Sequence, residues 1–292
     1  VLLINNMFLL YKMNILIIII LGILFTLTLC LNPVEPFEKR NIDCVISINV
    51  HEKFPFLLKQ LQNLKDNVSF SYAVILNCNE YMLNECKANV LPENVFYYEE
   101  SLEKNRYHGS LSEGIYRNMI YAIQNFNFEY FIVVSSRSLF DNNLSLADLK
   151  RLEQNPSAQK GHYEQANYES WYWPNFSNTL LYKHYKENNL ALHSSAHEGL
   201  VFTKRACEKI MQFLESKPEI KIDTFNFGGS VEEFALQTIA VNEGETFYYI
   251  GTGCCSYERI NHLGPENSAF KFTYKVDREG NLAKNSFVYC RV

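Results

Sequence analysis

The chain predicts an α/β fold with a mostly parallel central sheet flanked by helices, and three observations carry that prediction. Short, largely apolar runs, "DCVISINV" (43–50), "FSYAVILN" (70–77) and "YFIVVSS" (130–136), have the length and composition of strands buried on both faces. Segments with apolar residues at helical spacing lie between them, and strand–helix alternation of this kind builds parallel sheets. The chain's 292 residues, 47% of them hydrophobic, suffice for one large domain or two small ones.

The elements follow in order. "DCVISINV" opens the body as a buried strand. "FPFLLKQLQNLK" places Phe54, Leu57, Leu58, Leu61 and Leu64 on one helical face. "FSYAVILN" is the second strand and "NVFYYEE" a shorter third. "SEGIYRNMIYAIQNF" is a helix capped by Ser112, with Ile115, Met119, Ala122, Ile123 and Phe126 inward. After the strand "YFIVVSS" and a turn at "DNN", "SLADLKRLEQ" is a helix capped by Ser145. Residues 156–196 read as an aromatic loop that holds both tryptophans, Trp171 and Trp173, either as a surface flap or as an acceptor platform. "GLVFTKRACEKIMQFL" is a strand and a helix, and "SVEEFALQTIAV" a further helix. In that helix Ser230 and Glu233 have the S-x-x-E spacing of a capping box. The tail suggests a hairpin turning at 277–281. Ligands of such sheets sit beyond the carboxyl ends of the strands, which points to "NCNE" (77–80) and "SSRSLF" (135–140).

The N-terminus differs from the body. It is apolar and uncharged from Ile15 to Leu31, just long enough to span a hydrocarbon layer of about 30 Å. Residues 1–34 are therefore expected to form a membrane anchor and short stem, and residues 35–292 the functional body; a cleaved signal peptide is the rival reading. With the body across the membrane, the sequons at Asn67, Asn143 and Asn175 become usable. The net charge of −5 and the lack of a basic run argue against nucleic acid as a partner. The eight cysteines show no metal spacing, and disulfides are possible in an oxidising lumen.

Four stretches resemble, in order, motifs of the core-2/I-branching N-acetylglucosaminyltransferase-like family. They are "FEYFIVVSSRSLFDNNLSLADLKRLEQ", "HEGLVFTKRACEKIM", "VEEFALQT" and "AFKFTYKVD", within a span from about Cys44 to Asp277. The chain departs from the family at Ser136-Arg137-Ser138, where the family's aspartate is missing, and at Val231, where the family has proline. The resemblance implies a GT-A-type nucleotide-sugar-binding fold. It implies an inverting glycosyltransferase that needs no metal or other cofactor, anchored as a type II membrane protein and facing a Golgi or ER lumen. The donor would be a nucleotide sugar, with UDP-N-acetylglucosamine and UDP-xylose both implied by the resemblance, and the acceptor a glycan or glycoprotein hydroxyl.

Inverting transfer needs a base beside the acceptor hydroxyl and stabilisation of the departing diphosphate. The sequence contains no D-x-D, so side-chain cations would serve the diphosphate. By the resemblance Glu233 is the catalytic base and Glu232 an acceptor contact, and Lys271 and Arg259 hold the donor. Glu198, Trp171 and Trp173 are further acceptor candidates; Asn77, Asn79 and Ser135 are donor candidates at the strand ends. A non-catalytic, membrane-anchored glycan-binding glycoprotein on the same fold is the alternative.

Overall fold

A computed structural model describes residues 38–250, except 52, 106–107, 137, 141–142, 155–163, 166–177, 195–197 and 230, together with 273–275. In chain order its first half contains β1 (Arg40–Asn41), β2 (Cys44–Val50), α1 (Phe54–Asn67), β3 (Tyr72–Cys78), α2 (Glu80–Ala88), β4 (Val95–Tyr97), α3 (Ser110–Asn125), β5 (Phe126–Asn127), β6 (Tyr130–Ser135), β7 (Ser138–Phe140) and α4 (Leu146–Gln154). Then come β8 (Glu164–Gln165), α5 (Leu180–Glu187), β9 (His193–Ser194), β10 (Leu200–Thr203), α6 (Lys204–Ser216), α7 (Pro218–Asn226), a 3₁₀ turn (Val231–Glu233), α8 (Ala235–Asn242), β11 (Phe247–Tyr249) and β12 (Thr273–Lys275).

The centre is a six-stranded sheet in the order β11-β10-β6-β2-β3-β4. β2 runs parallel to both β3 and β6, and β4 parallel to β3, while β10 is antiparallel to β6 and to β11. The mostly parallel α/β architecture expected from the sequence is thus the observed one. Helices cover both faces. Ile115, Met119 and Ala122 of α3, with α5, α6 and α8, pack on Val45, Ala73, Ile75, Phe131 and Val133. The opposite face, built on Ile46, Ile48, Val74, Leu76, Ile132 and Val134, receives α1, α2 and α4. Burial on two sides is why these strands read as near-continuous apolar runs.

Local chemistry sets most boundaries. Pro55 sits in the first turn of α1, where a missing N–H costs nothing. Leu57, Leu61 and Leu64 face inward as expected, whereas Leu58 points to solvent. Ser145 closes the expected cap on α4: its Oγ accepts from Asp148 N–H at 3.2 Å, and the Asp148 carboxylate accepts from Ser145 N–H at 3.0 Å. Thr203 caps α6 in the same manner, accepting from Ala206 N–H.

Other expectations are corrected. α3 begins at Ser110, not at a cap on Ser112, which is fully buried inside the first turn. Gly109 takes the cap position, because its N–H donates to Phe227 O at 2.7 Å and a Cβ there would collide with the Thr224 carbonyl. α2, α5 and α7 are short helices that the sequence did not place, α5 within the stretch expected to be an aromatic loop. The caps Asn79 and Thr179 start the first two, accepting from Met82 and Tyr182 N–H. The stretch from Val231 is not one helix. Phe234, at φ −152°, separates the 3₁₀ turn from α8, whose cap position carries no side-chain hydrogen bond. Glu233 thus ends a 3₁₀ turn instead of standing in the first turn of α8, and Ser230, its expected capping-box partner, lies outside the described residues.

β12 lies in the tail for which a hairpin was expected, and it pairs antiparallel with β7. Asn63 of α1 holds β7, donating to Phe140 O and accepting from Phe140 N–H. The turn at 277–281 lies outside the described residues. No helix among the described residues is long and apolar enough to cross a membrane, and the tract from Ile15 to Leu31 lies outside them.

Candidate functional site

The carboxyl ends of three parallel strands share one register. Asn49 of β2 is flanked by Asn77 of β3 and Ser135 of β6. One row earlier Ser47 lies between Ile75 and Val133. Side chains alternate across a strand, so these residues occupy the α3-covered face. That face is apolar at its amino end, with Val45, Ala73 and Phe131, and turns polar at its carboxyl end.

α3 supplies the other wall. Asn118 donates through Nδ2 to Ser47 Oγ at 2.9 Å and to Ile75 O at 3.0 Å. Asn49 Nδ2 donates to Leu111 O at 2.8 Å, which ties the end of β2 to the first turn of α3. Gly114 makes this approach possible, because a Cβ there would run into Asn49 Oδ1 and Lys104 Cε. Asn77 Oδ1 and Nδ2, Asn49 Oδ1, Ser112 Oγ and Asn118 Oδ1 are all buried without a hydrogen-bond partner in the protein. Buried polar atoms are normally paired, so five unmet atoms in one corner mark a place where an outside polar group would be favourable.

Lys104 closes the corner from the segment after β4. Its ammonium donates to Leu102 O at 2.9 Å. Burial lowers it to about 8, against the opposing influence of Cys78, Glu103 and Glu113, while Arg117 adds to the lowering. Arg117 is held by Glu113, one turn before it on α3, at 2.7 Å.

The acidic turn reaches the same helix from another side. The 3₁₀ turn packs against α3, whose start is fixed to α7 through the hydrogen bond from Gly109 to Phe227. Glu232 is 3% exposed, and its carbonyl accepts from Gln237 Nε2 at 3.1 Å. Glu233, next to it, is half-buried. Thr238 anchors α8, its hydroxyl both accepting from and donating to the His193 backbone at 2.9 Å. Glu198, 5% exposed, precedes Gly199, whose φ of +94° lets its N–H donate to Val133 O and its carbonyl accept from Ile250 N–H. Glu198 thus enters beside the carboxyl end of β6.

The fold brings Asn77 and Ser135 into one row, as the strand-end argument expects. Asn79 is adjacent, with its Oδ1 engaged as the cap of α2. The Ser135 carbonyl accepts from Gln60 Nε2, which also donates to Ser138 O and so bridges the β6–β7 turn. Trp171, Trp173, Arg259 and Lys271 lie outside the described residues. Sequence reasoning passed over Ser47, Asn49, Lys104, Gly114 and Asn118. For the first two the signal was present: "VISINV" places its polar residues two apart, on one face of an otherwise apolar strand.

Among the described residues no group of His, Cys, Asp and Glu side chains could hold a metal ion. No family model matches the chain, and no curated protein matches it. Its structure is weakly similar to that of a bifunctional glycosyltransferase, solved as the "WbbM bifunctional glycosytransferase apo structure", with a TM-score of 0.24 and 12% sequence identity. The match covers 82% of this chain and 52% of that one, so the chain spans about half the length of the protein it matches. So distant a likeness leaves function to be argued from the chain's own residues.

Proposed function

We propose that this chain is a glycosyltransferase that moves a sugar from a nucleotide-sugar donor to a hydroxyl of a glycan or glycoprotein. The observation that carries the reading is the Asn49–Asn77–Ser135 row, with its unmet carboxamide atoms at the carboxyl end of a parallel sheet. Carboxamides offer both donors and acceptors, which suits the edge of a nucleobase or the hydroxyls of a ribose. Lys104 adds a cation at the rim of the row.

In this reading Glu233 takes the proton of the acceptor hydroxyl as that oxygen attacks the anomeric carbon. The nucleoside diphosphate leaves from the opposite side, and the configuration inverts. Glu233 is half-buried at the end of a short acidic turn that packs against α3. Glu232 and Glu198 are the acceptor contacts, and Lys271 and Arg259 the cations for the diphosphate. Independence from metal and anchoring by residues 1–34 are parts of the same proposal.

The test is turnover of UDP-N-acetylglucosamine and UDP-xylose by the full chain in detergent, with and without EDTA, beside Glu233→Gln. The variant should bind donor with parental affinity and lose about 10²–10⁴-fold in rate. Parental turnover by Glu233→Gln removes this glutamate as the base. Loss of activity in EDTA, restored by Mn²⁺, overturns the metal-free part. If no nucleotide sugar binds or turns over, the glycosyltransferase reading itself fails.

A further inference from the structure

We infer that Cys78 and Cys86 form a dithiol site that closes to an intrachain disulfide, clasping α2 onto the carboxyl end of β3. The inference does not depend on the proposed activity. Cys78 is the last residue of β3, Asn79 caps α2, and Cys86 lies on the inward face of that helix with Met82 and Leu83. Both thiols are buried in one apolar cluster, and each is the other's side-chain hydrogen-bond partner. Of Cys44 and Cys207, the other thiols among the described residues, Cys207 acts electrostatically on Cys44, but neither has a cysteine as a hydrogen-bond partner.

The pair is asymmetric in a way that suits thiol–disulfide exchange. The hydrogen bond from Cys78 lowers the Cys86 thiol, while the bond to Cys86, and then burial, raise Cys78. Lys104 acts on Cys78 in the opposite direction, favouring its thiolate. These influences favour Cys86 as the attacking sulfur and Cys78, with Lys104 nearby, as the resolving one.

The oxidant is a low-molecular-weight disulfide of the glutathione class. The Cys86 thiolate attacks one of its sulfurs, forming a mixed disulfide and releasing one thiolate. Cys78 loses its proton and attacks Cys86 Sγ, releasing the second. The protein gives up two protons and two electrons, and the reagent becomes two thiols. Because both sulfurs are buried under α2, exchange proceeds through local opening of this nine-residue helix or before it docks during folding. The bond would fix the end of the strand that carries Asn77.

The experiment uses the full chain in detergent, incubated with oxidised glutathione, denatured, alkylated and cleaved after glutamate. Glu80 and Glu85 both lie between the two cysteines, so cleavage puts them on separate peptides. The expected result is a Cys78–Cys86 linked peptide pair that separates only on reduction, unchanged in Cys207→Ala. The oxidised protein should melt about 5 °C above the reduced one, as expected for a short closed loop in a chain of this size. Cys78→Ala/Cys86→Ala should lose that difference. Free alkylated thiols at both positions, a persistent glutathione adduct, linkage of either cysteine to a third, or an oxidised form that melts no higher would each overturn the inference.

Discussion

The two faces of the same three strands do different work. On one face of β2, β3 and β6, Ile46, Ile48, Val50, Val74, Leu76, Ile132 and Val134 continue the apolar pattern to the strand ends. On the other the pattern stops, and Ser47, Asn49, Asn77 and Ser135 take over beneath α3. Both faces are covered by helices, so solvent exposure does not explain the change. A buried polar side chain costs free energy unless it is paired, and the Asn77 carboxamide and Asn49 Oδ1 have no partner within the protein. The first face is built for packing alone. The second gives up packing at one end, and that is the end where open α/β sheets bind ligands.

The largest expected effect comes from breaking the packing face. Ile48→Ala leaves a cavity between β2 and the α1 side and should cost about 2–5 kcal/mol, read as a lowered denaturation midpoint. A cost below about 1 kcal/mol would mean that this face is not the tightly packed one. Next is Gly114→Ala, which forces a methyl group against Asn49 Oδ1 and Lys104 Cε. Overpacking of this kind should cost about 1–3 kcal/mol and displace the Asn49 carboxamide, weakening nucleotide binding at the same time.

A smaller and more discriminating change is Asn77→Leu, which extends the apolar pattern to the polar face. Replacing a buried amide without partners by a similar apolar side chain should leave stability within about 1 kcal/mol of the parent, or raise it. Affinity for a nucleotide sugar should fall at least about tenfold, the loss of roughly one hydrogen bond. A variant that unfolds instead would show Asn77 to be structural.

The smallest effect is a pH trend. Lys104 sits at about 8 in the fold, because burial disfavours its charge, and at about 10.4 in the unfolded chain. Between those values the unfolded chain binds a proton that the folded chain lacks, so this residue makes stability rise from about pH 8 to about pH 10.4. Below pH 8 the penalty is present in full. Chemical denaturation of the parent and Lys104→Met across that range should differ by this rise, and parallel curves would mean that the ammonium is solvated.

Much of the fold was legible because it rests on local patterns. The apolar runs of β2, β3 and β6, the period of α1 and α3, and the Ser145 cap each declare themselves within about fifteen residues. The short helices α2 and α7 did not, since their weak periodicity resembles loops, and α5 spans only eight residues beside a long aromatic stretch. The start of α3 was misplaced for a different reason: Gly109 is held by Phe227 and crowded by Thr224, more than a hundred residues away in the chain. The break at Phe234 is likewise invisible in "SVEEFALQT", where residue propensities favour a continuous helix.

By itself the sequence determined the α/β class and the parallel core, because burial on both faces and strand–helix alternation leave few other arrangements. Only the tertiary structure decided which polar residues meet. Register is a property of paired strands, and it alone sets Asn49 beside Asn77 and Ser135. The fit of Gly114 against Asn49 and Lys104, the packing of the acidic turn on α3 and the contact of Cys78 with Cys86 likewise depend on how separate elements dock. Such contacts arise from shape and burial across the fold, which no short stretch of chain encodes alone.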